Sequence, residues 1–145
     1  MGSGKSIVKI KYCDGVAELK TIKQGDLVDL ATAEEVTMAK GDYRLINLGV
    51  AMELPAGCMA MVFPRSSTPG RHEIMMGNSV GIIDESYCGN DDIWRFPANA
   101  FRDTKIPKGT RIAQFMVVEK PEKLIFETVA ALGNKNRGGF GSTGK

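Results

Sequence analysis

Short apolar segments recur along the chain, and glycine or proline separates most of them. In SIVKIKY (residues 6–12), Val8, Ile10 and Tyr12 share one face of a predicted strand, and both lysines lie on the other. Further predicted strands lie within residues 44–54, 58–63, 80–83, 93–96, 111–118 and 123–129. Short strands separated by turn residues are typical of an all-β sandwich or barrel, not of alternating strands and helices.

Two segments allow a helix. Residues 30–40 (LATAEEVTMAK) combine apolar residues with helix formers, which is consistent with either a helix or a loop followed by a strand. A short helix can also follow Ser66 and Ser67, whose hydroxyl groups are suited to cap the free N–H groups of a first turn.

The last thirteen residues differ in character from the rest of the chain. GNKNRGGFGSTGK (residues 133–145) contains five glycines and one aromatic residue, a composition that cannot build a core alone. We therefore expect one β domain at residues 1–132 and a flexible C-terminal segment at residues 133–145.

Composition narrows the function classes. The 145 residues suit one domain, and a formal net charge of +2 is too small to indicate a nucleic-acid or membrane partner. The longest apolar stretch without a charge, residues 54–64, falls short of the ~20 residues of a membrane helix. Three cysteines without a CxxC pair and a single histidine argue against a zinc site, and reduced thiols in the cytoplasm are expected.

The N-terminal GSGKS (residues 2–6) superficially suggests a phosphate-binding loop. That motif needs an earlier glycine and a preceding strand, and position 1 leaves room for neither. A disordered start or an expression scar is the better interpretation.

PRSS (residues 64–67) is a candidate anion site at the end of an apolar strand. The guanidinium of Arg65 matches phosphate oxygens, and Ser66 and Ser67 add hydroxyl and backbone donors. An ordinary polar turn with Arg65 in a surface ion pair is the alternative.

NSVGIIDESYCG (residues 78–89) places a carboxylate after an apolar strand. Val80, Ile82 and Ile83 predict a buried strand that leads into Asp84, where burial can tune a general base. Tyr87 offers a flat face for a sugar or base. A hairpin with acidic turn residues is the alternative.

GTRIAQ (residues 109–114) contributes two polar side chains to a predicted strand. Strand alternation puts Ile112 and Gln114 on one face, so Gln114 has to point toward a polar site or lie near a strand end. A structural role is the alternative, with Arg111 pairing with an acid such as Asp103. In the tail, GGFGSTG (residues 138–144) has the composition of a lid over a phosphate-bearing nucleobase, and a disordered terminus is its alternative.

The order of these segments resembles the five motifs of the trimeric deoxyuridine triphosphatases (dUTPases). Asp29 and Leu30 in GDLVDL are similar to the first motif, and residues 64–67, 81–89, 109–114 and 138–144 are similar to the other four. Residues 84–106 resemble most the enzymes of low-GC Gram-positive bacteria and their phages. The resemblance implies a distorted jelly-roll β-barrel with at most one short helix, in a homotrimer whose three active sites are shared between subunits.

The implied reaction is the hydrolysis of dUTP to dUMP and pyrophosphate, which keeps uracil out of DNA and supplies dUMP for thymidylate synthesis. By this resemblance Asp84 activates the attacking water, Mg²⁺ binds the triphosphate, and Asp29 reaches that ion only through water. The implied substrate-binding residues are Arg65, Ser66, Ser67, Asn78, Gly81, Ile82, Ile83, Tyr87, Gln114, Arg137, Phe140, Gly141, Ser142 and Thr143.

Within that set, the resemblance assigns each group a part of the nucleotide. Asn78 and the backbone of residues 81–84 bind uracil, and Tyr87 packs on the deoxyribose. The PRSS turn and Gln114 bind the triphosphate, and the last motif closes over the site. Lys135 or Arg137 contacts the γ-phosphate, and Arg137 is favoured.

Two other functions stay open. A dCTP deaminase is related and also uses an RSS turn, but it needs a glutamate base that IWRFPANAF (residues 93–101) lacks. The second alternative is a protein with the dUTPase fold and an added regulatory protein-binding role. Trp94, in this segment, is expected in the core and not in the lid.

Overall fold

The computed structural model describes residues 5–20, 24–141 and 144, and strands dominate these residues. The elements are β1 (Lys9–Tyr12), β2 (Val28–Ala31), β3 (Val36–Met38), β4 (Tyr43–Asn47), β5 (Val50–Glu53), β6 (Cys58–Pro64), α1 (Thr68–His72), β7 (Ile74–Met76), β8 (Gly81–Ile83), β9 (Arg95–Ala100), β10 (Thr104–Ile106) and β11 (Arg111–Glu119). The predicted all-β class with one short helix is confirmed.

The strands form two larger sheets and two pairs. One sheet has the order β2-β11-β6-β8 and the other the order β4-β9-β7, while β1 pairs with β5 and β10 with β3. Every one of these pairings is antiparallel. The long strand β11 lies between β2 and β6, so it joins the segments that carry three of the sequence motifs.

The core follows from the alternation of side chains along the strands. Phe96, Ala98 and Ala100 of β9 point inward, whereas the side chains between them are more exposed. Trp94 is fully buried and meets Phe115 edge to face, with ring centroids 5.1 Å apart. Its predicted core position is confirmed.

The structure shows which secondary structure two segments adopt, residues 44–54 and residues 30–40. Residues 44–54 form two strands because the chain turns at Gly49, whose φ of +75° favours glycine. A Cβ there would also lie 2.8 Å from Val16 Cγ2. Residues 30–40 adopt the loop-and-strand alternative, in which β2 ends at Ala31 and β3 follows.

The predicted strand at residues 123–129 is wrong for the single chain. Residues 123–129 belong to no strand in the described part of the chain, and Leu124, Ile125 and Phe126 are 73%, 97% and 88% exposed. A strand needs a neighbouring strand to bond its N–H and C=O groups, and one chain does not supply one here. The predicted domain boundary at residue 132 stays a prediction.

Within the described ranges, no helix has the length and apolar character needed to cross a membrane. Cys13, Cys58 and Cys88 are free thiols.

Candidate functional site

Buried hydrogen bonds fix the turn that follows β6. The Arg65 N–H donates to Thr68 Oγ1 at 3.0 Å and to the Ile112 carbonyl at 3.3 Å. The Thr68 hydroxyl donates in turn to the same carbonyl at 2.7 Å, and Thr68 is fully buried. These bonds hold Arg65 and the two serines at the end of β6. The helix predicted after the serines is α1, but Ser67 makes no side-chain capping bond.

Asp29 lies between two arginines. Its Oδ1 is 3.1 Å from Arg65 Nε, its Oδ2 is 3.2 Å from Arg111 Nη1, and its side chain is only 13% exposed. Arg111 therefore pairs with Asp29 and not with Asp103, which instead accepts a hydrogen bond from the Lys40 N–H. The long-range pairing of β2 with β11 brings these charges together.

A β-bulge explains why Arg111 and Gln114 reach the same side of the sheet. Residues three apart on a regular strand point to opposite faces, but the register of β11 against β2 shifts between Arg111 and Ala113. Ile112 and Ala113 are both fully buried, whereas the Gln114 amide donates to the Pro64 carbonyl at 3.2 Å. The expected common face for Ile112 and Gln114 is therefore wrong, and the bulge is the reason.

These residues line an open cavity of about 290 Å³, which we name the arginine corner. It is lined by Gln24, Gly25, Asp26, Leu27, Asp29, Arg65, Ser66, Arg111 and Gln114. Burial lowers the pKa of the neighbouring His72, and Arg71 and Arg65 lower it further. Arg65 and Arg111 offer positive charge to a ligand at this corner, where Asp26 and Asp29 also lie.

A second cavity, of about 440 Å³, contains Asp84, and we name it the Asp84 cavity. It is lined by Leu45, Ile82, Ile83, Asp84, Ser86, Tyr87, Ile93, Trp94 and Arg95. The Tyr87 hydroxyl donates to the Ile93 carbonyl at 3.0 Å, and the Tyr87 N–H donates to the Asp84 carbonyl at 3.0 Å. These two bonds hold the tyrosine ring beside the carboxylate.

The surroundings of Asp84 differ from the expected buried strand. Asp84 is exposed and Ile82 is 51% exposed, because β8 is an edge strand whose outer face is open. The buried position expected for Asp84 is therefore wrong for the single chain. Asn78 lies in the exposed turn before β8 and does not line the cavity, and neither does Gly81.

The residue after Asp84 belongs to a contact that the sequence reasoning missed. Glu85 forms an ion pair with Lys120, and its Oε1 accepts the Gly57 N–H at 3.0 Å. The hydrogen bond from Lys120 lowers the pKa of Glu85, the bond from Gly57 lowers it further, and the Glu85 carboxylate raises the pKa of Lys120. An acid and a base 35 positions apart carry no local signal, since only the fold brings them together.

The arginine corner and the Asp84 cavity lie at opposite ends of β6. Ala60 pairs with Ile83, so Asp84 lies level with Met59, whereas Arg65 follows the last residue of the strand. Six residues of strand at ~3.3 Å each separate them by about 20 Å. The two cavities share no lining residue.

The described C-terminal candidates line neither cavity in the single chain. Arg137, Phe140 and Gly141 are exposed, and the Phe140 side chain is completely so. Phe140 has a φ of +53°, and Gly138 and Gly141 each have a φ of +84°, so the backbone bends repeatedly around the aromatic ring. Ser142 and Thr143 lie outside the described residues, as does the N-terminal residue range 1–4.

The donor set is consistent with a cation that arrives with a phosphate ligand. Across residues 5–20, 24–141 and 144, no group of three or more His, Cys, Asp or Glu side chains could hold a metal ion. Both oxygens of Asp29 already accept from arginines. Mg²⁺ commonly keeps its waters and binds substrate phosphates in place of an all-protein cage.

Comparison with known proteins gives consistent results. The dUTPase family model matches residues 27–144. The SPbeta prophage-derived deoxyuridine 5′-triphosphate nucleotidohydrolase YosS of Bacillus subtilis is 50% identical over 138 residues, which cover 94% of this chain and 97% of that protein.

Two solved structures share the fold at low sequence identity. A dUTPase of Staphylococcus bacteriophage 80alpha, determined with dUpNHpp, has a TM-score of 0.75 and 20% identity, covering 97% of this chain and 100% of its own. A dUTPase of phage phi11 of S. aureus, in a structure that describes a structural Mg(II) ion, has a TM-score of 0.73 and 15% identity, covering 87% and 98%. With motifs, fold and relatives in agreement, the chain belongs to the dUTPase family.

Proposed function

We propose that the protein hydrolyses dUTP to dUMP and pyrophosphate at sites that two copies of the chain complete together. The separation of about 20 Å between Arg65 and Asp84 along β6 carries this proposal, since it is too long for both to act at one α-phosphorus. The arginine corner of one copy therefore faces the Asp84 cavity of another, and a homotrimer with three such sites is the proposed assembly.

The arginine corner binds the triphosphate. Asp29 fixes Arg65 and Arg111 from inside the corner, so their remaining N–H donors point outward without a further ordering cost. Among the described residues, the Ser66 and Ser67 N–H groups have no hydrogen-bond acceptor, which leaves them available to phosphate oxygens. The Gln114 amide donates to the Pro64 carbonyl and so stabilises the turn that carries Arg65.

Asp84 is the proposed general base. Its carboxylate takes a proton from water as the water oxygen forms a bond to the α-phosphorus, and the bond from that phosphorus to the bridging oxygen of the β-phosphate breaks. Pyrophosphate leaves with the electron pair of the broken bond. The exposed carboxylate becomes enclosed only when the second copy and the nucleotide cover it, and exclusion of water strengthens its interactions there.

The Asp84 cavity receives the nucleoside. Its polar and apolar lining suits a sugar and a pyrimidine, and the fixed ring of Tyr87 packs against the deoxyribose. Asn78 and the backbone at Gly81 are proposed to bind the edge of uracil, which requires the turn before β8 to close toward the ligand.

The C-terminal segment is the proposed lid. Phe140 stacks on uracil, Arg137 binds the γ-phosphate, and Gly141, Ser142 and Thr143 donate to phosphate oxygens. The complete exposure of the Phe140 ring supports this role, since an exposed aromatic side chain gains packing contacts by covering a ligand.

Mg²⁺ is the proposed cofactor, held by the triphosphate and water. When bound it neutralises phosphate charge, and Asp29 reaches it only through water because its oxygens are engaged by arginines. The cytoplasm stays the predicted compartment, and removal of dUTP from the pool used for DNA synthesis, with supply of dUMP, is the proposed biological role.

A panel of deoxynucleoside triphosphates tests the proposal. We expect pyrophosphate release from dUTP to exceed release from dCTP by about 10⁴-fold, because unpaired donors in the uracil site reject the wrong base. EDTA should abolish the release and Mg²⁺ should restore it. Ammonia release from dCTP with dUTP left intact would instead establish a deaminase.

A further inference from the structure

Three chain segments meet at the end of β11, where the chain leaves the sheet. Lys120, directly after β11, forms an ion pair with Glu85, and its N–H donates to the Gly57 carbonyl at 2.8 Å. The Gly57 N–H donates to Glu85 Oε1 at 3.0 Å. Glu85, Gly57 and Lys120 thus form a closed ring of contacts, which we name the Glu85 junction.

The junction limits the freedom of Asp84 from one side. On the other side, Ile83 is held by its pairing with Ala60 in β6, which is the last pair of the β6–β8 ladder. Beyond that pair Asp84 has no ladder partner, and its carbonyl accepts the Tyr87 N–H in a tight turn. Asp84 therefore lies between two anchors, the end of the ladder and the Glu85 carboxylate.

The charges of the junction also reach Asp84. The Asp84 carboxylate contributes to the raised pKa of Lys120, though less than Glu85 does, so the ammonium group interacts with both acids. With the pKa of Glu85 lowered and that of Lys120 raised, the ion pair keeps both charges throughout the neutral range. The contact is thus present under the conditions in which hydrolysis takes place.

We propose that Glu85 and Lys120 are positioning residues for the hydrolytic reaction, an inference that rests on the proposed role of Asp84. They set the angle of the carboxylate toward the water and tie the start of the lid-bearing segment to the same loop. A displacement of ~1 Å at a reacting group can cost ~10²-fold in rate, whereas an exposed ion pair contributes little to folding stability. The pair therefore acts on turnover and not on stability.

The chain offers a matched control. Lys105 and Glu35 form another exposed lysine–glutamate pair, at 3.4 Å, between β10 and the loop before β3. Neither residue lines the arginine corner or the Asp84 cavity. Lys120→Met and Lys105→Met thus remove the same kind of contact, and only the first borders the candidate catalytic loop.

The experiment measures kcat and KM for dUTP, together with the thermal midpoint, in five proteins: wild type, Lys120→Met, Lys120→Arg, Glu85→Ala and Lys105→Met. We expect Lys120→Met and Glu85→Ala to lower kcat about tenfold with KM changed less than about twofold. Lys120→Arg should restore most of the turnover, because arginine keeps the charge and the reach. The thermal midpoints of all four variants, and the kcat of Lys105→Met, should stay at the wild-type values.

Three outcomes would overturn the inference. Equal kcat values for Lys120→Met and Lys105→Met would show that the junction does not position Asp84. A change in KM alone would make it a binding contact, and a loss that Lys120→Arg does not restore would remove the ion pair as its cause. If the wild type itself releases no pyrophosphate from dUTP, the proposed function fails and this inference fails with it, whereas the three outcomes above, seen with an active wild type, overturn the inference alone.

Discussion

The arginine corner and the Asp84 cavity lie at opposite ends of β6, but they differ in how far one chain buries their polar residues. At the corner, the largely buried Asp29 binds the Arg65 side chain, and behind it the fully buried Thr68 accepts the Arg65 N–H. In the cavity, Asp84 is exposed and Ile82 is half exposed. One chain thus orders the end that is proposed to bind phosphate, whereas the end that is proposed to carry out hydrolysis stays open to solvent.

Because of this difference, mutations in the two regions should differ in their effects on stability and activity. A change in the corner removes buried contacts, so it should lower stability and activity together. A change at Asp84 alters an exposed group, so it should lower activity alone.

The largest effect is expected from Asp84→Asn. Loss of the general base should lower kcat by ~10²–10⁴, while the midpoint of unfolding stays at the wild-type value because the side chain is exposed. Pyrophosphate-release kinetics and thermal unfolding on the same preparation check both halves. Unchanged turnover would remove Asp84 from its proposed role.

Deletion of residues 133–145 extends the comparison to the C-terminal segment, whose described residues line neither cavity. We expect the truncated protein to assemble and unfold as the wild type does, with turnover reduced by about 10², because donors to the phosphates and the aromatic cover are lost. Size-exclusion chromatography and steady-state kinetics measure the two properties. Full activity without these residues would disprove the lid.

A smaller effect is expected from Thr68→Val, which probes the corner. Valine keeps the volume but removes the acceptor for the Arg65 N–H and the donor to the Ile112 carbonyl. This should lower the free energy of unfolding by about 1–3 kcal/mol and weaken dUTP binding as the turn loosens. Urea unfolding at one fixed protein concentration measures the stability.

Thr68→Ser is the control for that substitution, since serine retains the hydroxyl and both hydrogen bonds. It should stay closer to the wild type in stability and in KM. If Thr68→Val changed neither property, the buried hydroxyl would have no part in holding Arg65.

The sequence predicted those parts of the fold that depend on neighbouring residues. Alternation in residues 6–12 indicated the inward face of β1, and the usual burial of tryptophan indicated a core position for Trp94. The motifs around Arg65 and Asp84 were recognisable for the same reason, since each is a short contiguous segment.

What the sequence did not predict depends on contacts between distant segments. The bulge in β11 reversed the expected face of Gln114, and the pairing of β2 with β11 placed Arg111 against Asp29. The segment at residues 123–129 has strand composition but no strand partner among the described residues. The residue pattern of such a segment indicates its preference for strand structure but not the strand or surface that it contacts.

Mixed trimers test most directly that one active site takes Asp84 from one copy and Arg65 from another. Asp84→Asn and Arg65→Ala subunits are each inactive alone, but together they can pair an intact Asp84 with an intact Arg65. Random assembly at equal amounts gives one complete site in each mixed trimer, so we expect about a quarter of the wild-type turnover. No recovery in trimers shown to contain both variants would contradict the shared site.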